Sequence, residues 1–143
     1  MEAIKIALTQ YGVQKNDESE IHPQIIEYFT VIGYTMTDFK KNNSWSSAFV
    51  NWVAKKSGYE YSGKLDARSW LGVGNSIDTP EWGDIVVLWK DIPENKDGYV
   101  GVFIKETRRY VYLLGGDQRN SVCIKAYPKS RVLDYRRLRK IAS

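Results

Sequence analysis

Within the stretch "NNSWSSAFVNWVAKKSGY", residues 42–59, Ser46 stands where a helix begins. The first turn of a helix carries unpaired N–H groups and a partial positive charge, which lower the pKa of a nucleophile placed there. Such a site also needs a base on a neighbouring strand and a third polar group to orient that base. The strand-like run "GYVGVFI" and the turn "LLGGDQRN" follow in the right order for those roles, but the strand offers Tyr99 and not a histidine, while the turn offers Asp117 and Gln118.

The chemistry open to these types is limited. A thiol has a pKa of roughly 8.5, so some thiolate exists near neutrality, whereas an alcohol needs a base. A helix terminus contributes ~2 kcal/mol at best, equivalent to about 1.5 pKa units, and does not ionise a serine at neutral pH. Tyr99, with a reference pKa of about 10, is a poor proton acceptor there. No lysine stands at a motif position that suggests a Ser–Lys pair. His22 reads as the surface opening of a helix and not as a base for Ser46.

The elements that must position these residues follow from the pattern. Ile4, Ala7, Leu8 and Tyr11 share one helical face, closed by Gly12. A second helix starts at Pro23, turns Ile25, Ile26 and Phe29 inward and stops at Gly33. "MTDFKKNN" reads as a loop. A third helix is capped by Asn43 or Ser44, buries Trp45, Phe49, Trp52 and Val53, and ends at Gly58. "DARSWLGVG" is a short helix ending at Gly72 or Gly74, and "GVGNS" is a loop without the context of a phosphate-binding turn. The second half changes to strand-like runs: "GDIVVLW", "YVGVFIK", "YVYLLGG", "SVCIKAY" and "RVLDYRR". Helices followed by an antiparallel meander of about five strands define a single α+β domain over residues 1–143.

Composition sets outer bounds. The 143 residues include one Cys and one His, so an internal disulfide and ordinary zinc ligation are excluded. Cys123 reads as a buried inert thiol. The formal net charge of +4 favours anionic partners, yet no nucleic-acid-binding signature accompanies it. The C-terminal arginines read as a charged, exposed edge strand. Glu81 and Asp84 read as turn and cap residues and not as a glycosidase pair. No run is long enough for a membrane helix, and the first residues lack a signal-type apolar core. Synthesis in the cytoplasm is the corresponding expectation, with delivery to the cell envelope by a phage or secretion system if the protein is active.

The series "SWSSAFVNW", "ARSWL", "PEWGDIVVLW", "GYVGVFI", "LGGDQRNSV" and "YPKSRVLDYRR" resembles a small group of CHAP-type peptidoglycan hydrolases of bacteria and phages, papain-like enzymes that use cysteine and histidine. The resemblance runs in order over nearly the whole chain, from "ALTQYGV" onward. Trp45, Ser47, Ala48 and Phe49 match the family's helix start, with Ser46 at the Cys position. Gly98, Val100 and Gly101 match its strand, with Tyr99 at the His position. Leu114, Gly115, Gly116 and Gln118 match the orienting turn, with Asp117 for Asn. The resemblance implies a papain-like CHAP fold, no cofactor and no metal. It also implies a groove between Ser46, Arg68, Tyr99 and Asp117, with Trp45, Arg68, Trp70 and Gln118 as binding positions. Trp70 in the core and Arg68 in a salt bridge is the competing reading. The expected role is an impaired or inactive amidase- or endopeptidase-like domain that binds cell-wall peptide or a protein partner. The alternatives are an active cell-wall hydrolase of endolysin or effector type, seen as an inactivated Cys-to-Ser form, and a structural part of a phage tail or secretion device.

Overall fold

The computed structural model describes residues 2–14, 21–41 and 44–141. Four α-helices come first: α1 (Glu2–Leu8), α2 (Pro23–Thr30), α3 (Met36–Lys41) and α4 (Ser46–Lys56). A 3-10 helix, Ala67–Gly72, leads into strands β1 (Asn75–Ile77), β2 (Ile85–Trp89), β3 (Gly98–Glu106), β4 (Tyr110–Gln118), β5 (Ser121–Pro128) and β6 (Val132–Arg137). The class is α+β, with every strand pair antiparallel.

The sheet has six strands, one more than the sequence pattern indicates, in the order β1-β6-β2-β3-β4-β5. Strands β2 to β5 form the expected meander. β6 then returns across the sheet to pair with β2, and β1 covers its other side. "GVGNS" is therefore not all loop. Gly74, at φ +70°, lets the chain press onto β6, where an added Cβ would lie 2.3 Å from the Arg137 carbonyl oxygen. This also corrects the expectation for the C-terminal arginines, because β6 is an interior strand. Arg136 donates to the Val73 and Gly74 carbonyls at 2.9 and 2.8 Å and to Asp134 at 2.9 Å. Arg137 grips the fully buried Asp84 carboxylate with two hydrogen bonds, at 3.0 and 2.8 Å. Asp84 in turn accepts the Glu81 N–H at 2.7 Å, which is the expected turn role.

The helical half departs from expectation at three points. "MTDFKK" is helical, because Thr35 and Asp38 close a reciprocal cap: Asp38 accepts from the Thr35 N–H at 2.7 Å, and Thr35 Oγ1 from the Asp38 N–H at 3.3 Å. Leu8 and Tyr11 are exposed at 43% and 59%, so only Ile4 and Ala7 of the first apolar face enter the core with Ala3. The cap position of α4 falls on Trp45 and not on Ser44, whose Oγ accepts the Ser46 N–H at 3.4 Å from one residue further out; Asn43 lies outside the described residues. The remaining stripe of α4 is buried as expected, through Phe49, Trp52 and Val53.

One apolar cluster joins the helices to the near face of the sheet, through Phe49, Trp70, Val87, Val100 and Val102. A second fills the opposite face, through Val86, Leu88, Phe103, Leu113 and Tyr127, with Tyr99 packed against it. Successive side chains on a strand alternate faces, so Val100 belongs with the helices and Tyr99 with the other side. No described helix is long and apolar enough to cross a membrane.

Replacing Arg137 with leucine would strand the buried Asp84 carboxylate without the partly exposed cation that pairs with it. The expected loss is about 2–3 kcal/mol in urea denaturation. An added Asp84→Asn change, which removes the unpaired charge, is expected to recover part of it.

Candidate functional site

Ser46 is the first residue of α4, and its neighbours explain how it is held. It is 2% exposed, and its hydroxyl accepts from Ser44 Oγ at 3.4 Å. The next hydroxyl, Ser47, is structural. It accepts from Trp70 Nε1 at 2.9 Å and donates to the Lys64 carbonyl at 2.7 Å. Asn51, one turn on, donates to the Ser47 and Lys64 carbonyls and accepts the Gly63 N–H. This network fastens the 62–70 segment to α4 and builds one wall of the cleft at Ser46.

The two tryptophans expected at the groove offer it no surface. Trp70 is fully buried, which corrects its assignment as a binding residue. Trp45 is 3% exposed, stacks with Tyr28 at 6.1 Å, and has no hydrogen-bond partner for its indole N–H among the described residues. Among the described residues Arg68 makes no salt bridge. Its Nη2 donates to the Pro93 carbonyl at 2.8 Å, tying the 3-10 helix to the loop after β2.

Tyr99 sits at the start of β3 with its ring stacked on Tyr127, centroids 5.4 Å apart. Its hydroxyl donates to the Gly116 carbonyl at 2.7 Å. Burial first, then the neighbouring Tyr127 and Asp117, push its pKa well above that of an ordinary phenol. The group is therefore a fixed, protonated donor at neutral pH and cannot accept a proton from Ser46. No hydrogen bond joins Ser46 to Tyr99 among the described residues.

The paired glycines of β4 make this arrangement possible. A Cβ on Gly115 would lie 2.2 Å from the Tyr99 hydroxyl. A Cβ on Gly116 would lie 2.8 Å from both the Trp45 ring and Phe49 Cβ. Beyond them the β4–β5 register slips between Gly115 and Gln118, and Asp117 takes a left-handed φ of +60° in the bulge. Gln118 locks that bulge from inside. It is 2% exposed, its amide donates to the Cys123 and Leu113 carbonyls, and its oxygen accepts from Tyr127 at 2.8 Å. Cys123, half-buried and not fully buried as expected, packs its Sγ 3.4 Å from the Gln118 carbonyl.

Two adjoining clefts run along this end of the molecule. The first, about 260 Å³, holds Ser46 with Lys41, Lys90, Asp66 and Asp97 on its walls. The second, about 230 Å³, is lined by Tyr99, Asp117 and Gln118 and by Lys90, Arg119, Lys125 and Arg131. Ser44, Lys90 and Gly98 line both, so the clefts meet. Ser46 and Tyr99 thus face neighbouring parts of one groove, not a common reacting point. Two lysines reach the cleft of Ser46 that no motif marks, yet the hydroxyl's hydrogen-bond partner is Ser44. The basic lining of the second cleft is not a sequence motif, because Lys90 follows β2, Arg119 lies in the β4–β5 turn, Lys125 is on β5 and Arg131 ends the short 3-10 helix before β6. Among the described residues, no group of three or more His, Cys, Asp or Glu side chains is placed to hold a metal ion. No family model matches the chain, and comparison with curated proteins gives no significant match.

The glycine–tyrosine fit is testable by a double-mutant cycle. Gly115→Ala alone is expected to destabilise by about 1–3 kcal/mol through overpacking. Its penalty is expected to shrink in a Tyr99→Phe background, where the colliding oxygen is gone.

The tyrosines also set an alkaline limit. Burial raises Tyr28 and Tyr99 strongly and pushes Tyr127 up to about 12. A phenol raised in the folded state contributes stability that is complete below the unfolded pKa of about 10 and is lost as pH rises through the folded value. The denaturation midpoint is therefore expected to hold up to about pH 10 and to fall above it. Tyr99→Phe is expected to flatten that fall.

Proposed function

We propose that this chain is a CHAP-like, papain-type domain related to peptidoglycan amidases and endopeptidases. In this reading it no longer hydrolyses, and it binds cell-wall peptide or a protein partner in the groove between Ser46 and Asp117. The observation that carries the loss of chemistry is the Tyr99 hydroxyl. It is spent on the Gly116 carbonyl at 2.7 Å and held protonated, so Ser46 has no base from that position. A helix terminus alone leaves an alcohol many pKa units from ionisation.

The same observation favours a natural tyrosine over a silenced enzyme. A Cys-to-Ser change accounts for position 46 alone, whereas Tyr99 is matched to its surroundings by Gly115, Gly116 and the Tyr127 ring. The order of the motifs, and a groove at the tip of α4, support the family likeness.

The test is mass spectrometry of soluble products after incubation with purified sacculi, alongside a Ser46→Cys/Tyr99→His variant and a sedimentation assay for binding. The unaltered protein is expected to sediment with sacculi and release nothing. New peptide ends from it would refute the loss of chemistry and identify the bond cut. Absence of binding would remove the cell-wall ligand and leave the protein partner.

A further inference from the structure

The second cleft has a charge that the Ser46 chemistry does not use. Lys90, Arg119, Lys125 and Arg131 line it, against the single carboxylate of Asp117. None of the four makes a salt bridge among the described residues, although Arg136, Arg137, Arg139 and Lys129 are all paired with acids. Four like charges gathered around one acid raise the energy of a folded protein, and a further anion relieves them.

Two of these cations are also held in place. Arg131 donates Nε and Nη2 to the Trp89 carbonyl, at 3.1 and 3.0 Å. Its guanidinium lies 5.7 Å from the Trp89 ring and 5.3 Å from the Tyr127 ring. Lys125 Nζ stands 5.3 Å from the same Tyr127 ring. Aromatic faces fix the cations without neutralising them. Arg119 reaches the cleft from the β4–β5 turn, where it and Asn120 hold left-handed φ values of +54° and +59°. At about 230 Å³ the space suits one small or terminal group and not the body of a polymer.

We infer that the cleft between the β4–β5 turn, the start of β3 and Arg131 binds a small oxyanion, a carboxylate or a phosphate. Guanidinium and ammonium groups recognise both through charge-assisted hydrogen bonds. The inference rests on the cleft's own walls and stands whether or not the protein binds the cell wall.

The experiment is a titration of ¹⁵N-labelled protein, followed by NMR, with inorganic phosphate in one arm and acetyl-dialanine in the other. The amide of acetyl-dialanine is the neutral control. Saturable shifts at Arg119, Asn120 and Lys125 are expected for at least one oxyanion, weaker at high salt, and absent for the amide. Which arm responds identifies the source of the oxyanion. An Arg119→Gln/Lys125→Gln variant is expected to lose about tenfold or more in affinity, with unchanged thermal unfolding because both side chains are exposed. Lys105→Gln/Arg109→Gln, changing cations that do not line the cleft, is expected to bind as the unaltered protein does. No saturable shift at the cleft in either arm, equal binding by the amide, or undiminished binding by the Arg119/Lys125 variant would each overturn the proposal.

Discussion

Strand β4 lies so close to helix α4 that no side chain fits between them at Gly116, where a methyl group would meet Trp45 and Phe49 at 2.8 Å. That approach is the constraint on which the site depends. It sets the helix tip over the sheet, brings the Gly116 carbonyl to the Tyr99 hydroxyl, and forces the next residue into a bulge. Gln118 then fills the space behind the bulge and satisfies it from within. Helix, strand and turn are thereby held in one arrangement by contacts with no slack.

The hydroxyls around this junction divide by what they touch. Ser47 is embedded between an indole and a carbonyl, so it positions the loop and has no spare capacity for a ligand. Ser46, one residue earlier, borders the cleft, and Ser44 is its hydroxyl's hydrogen-bond partner. Tyr99 has the chemistry of a donor with a single, fixed acceptor. With its hydroxyl given to the Gly116 carbonyl and its pKa raised, Tyr99 is no base for Ser46. The positive charge of the groove lies further along, where Lys90, Arg119, Lys125 and Arg131 meet and the last two lie over aromatic rings.

Much of this was legible in order along the chain. The glycines after helices, the apolar stripe of α4 and the strand-like runs of five of the six strands are local signals, because propensity and periodicity act over a few residues. The pair at 115–116 was visible as a motif, but its reason was not. Helix α3 was missed although Thr35 and Asp38 stand at capping-box spacing, since a short polar helix has little apolar period to see. Strand β1 was missed because three residues with no buried side chain form a strand only when a partner arrives, and that partner lies about sixty positions later.

The burial of Trp70, the commitment of Tyr99 to Gly116 and the pairing of Arg136 and Arg137 depended on tertiary structure in the same way. Each is a contact between segments far apart in sequence, and residue type alone does not say whether an arginine meets water or a buried carboxylate. The sequence by itself determined the α+β class, the helix tip carrying Ser46 and the absence of histidine from the expected strand. Only the folded chain decided which polar groups are used up inside it and which are left facing the groove, because hydrogen-bond satisfaction and burial belong to the packed state.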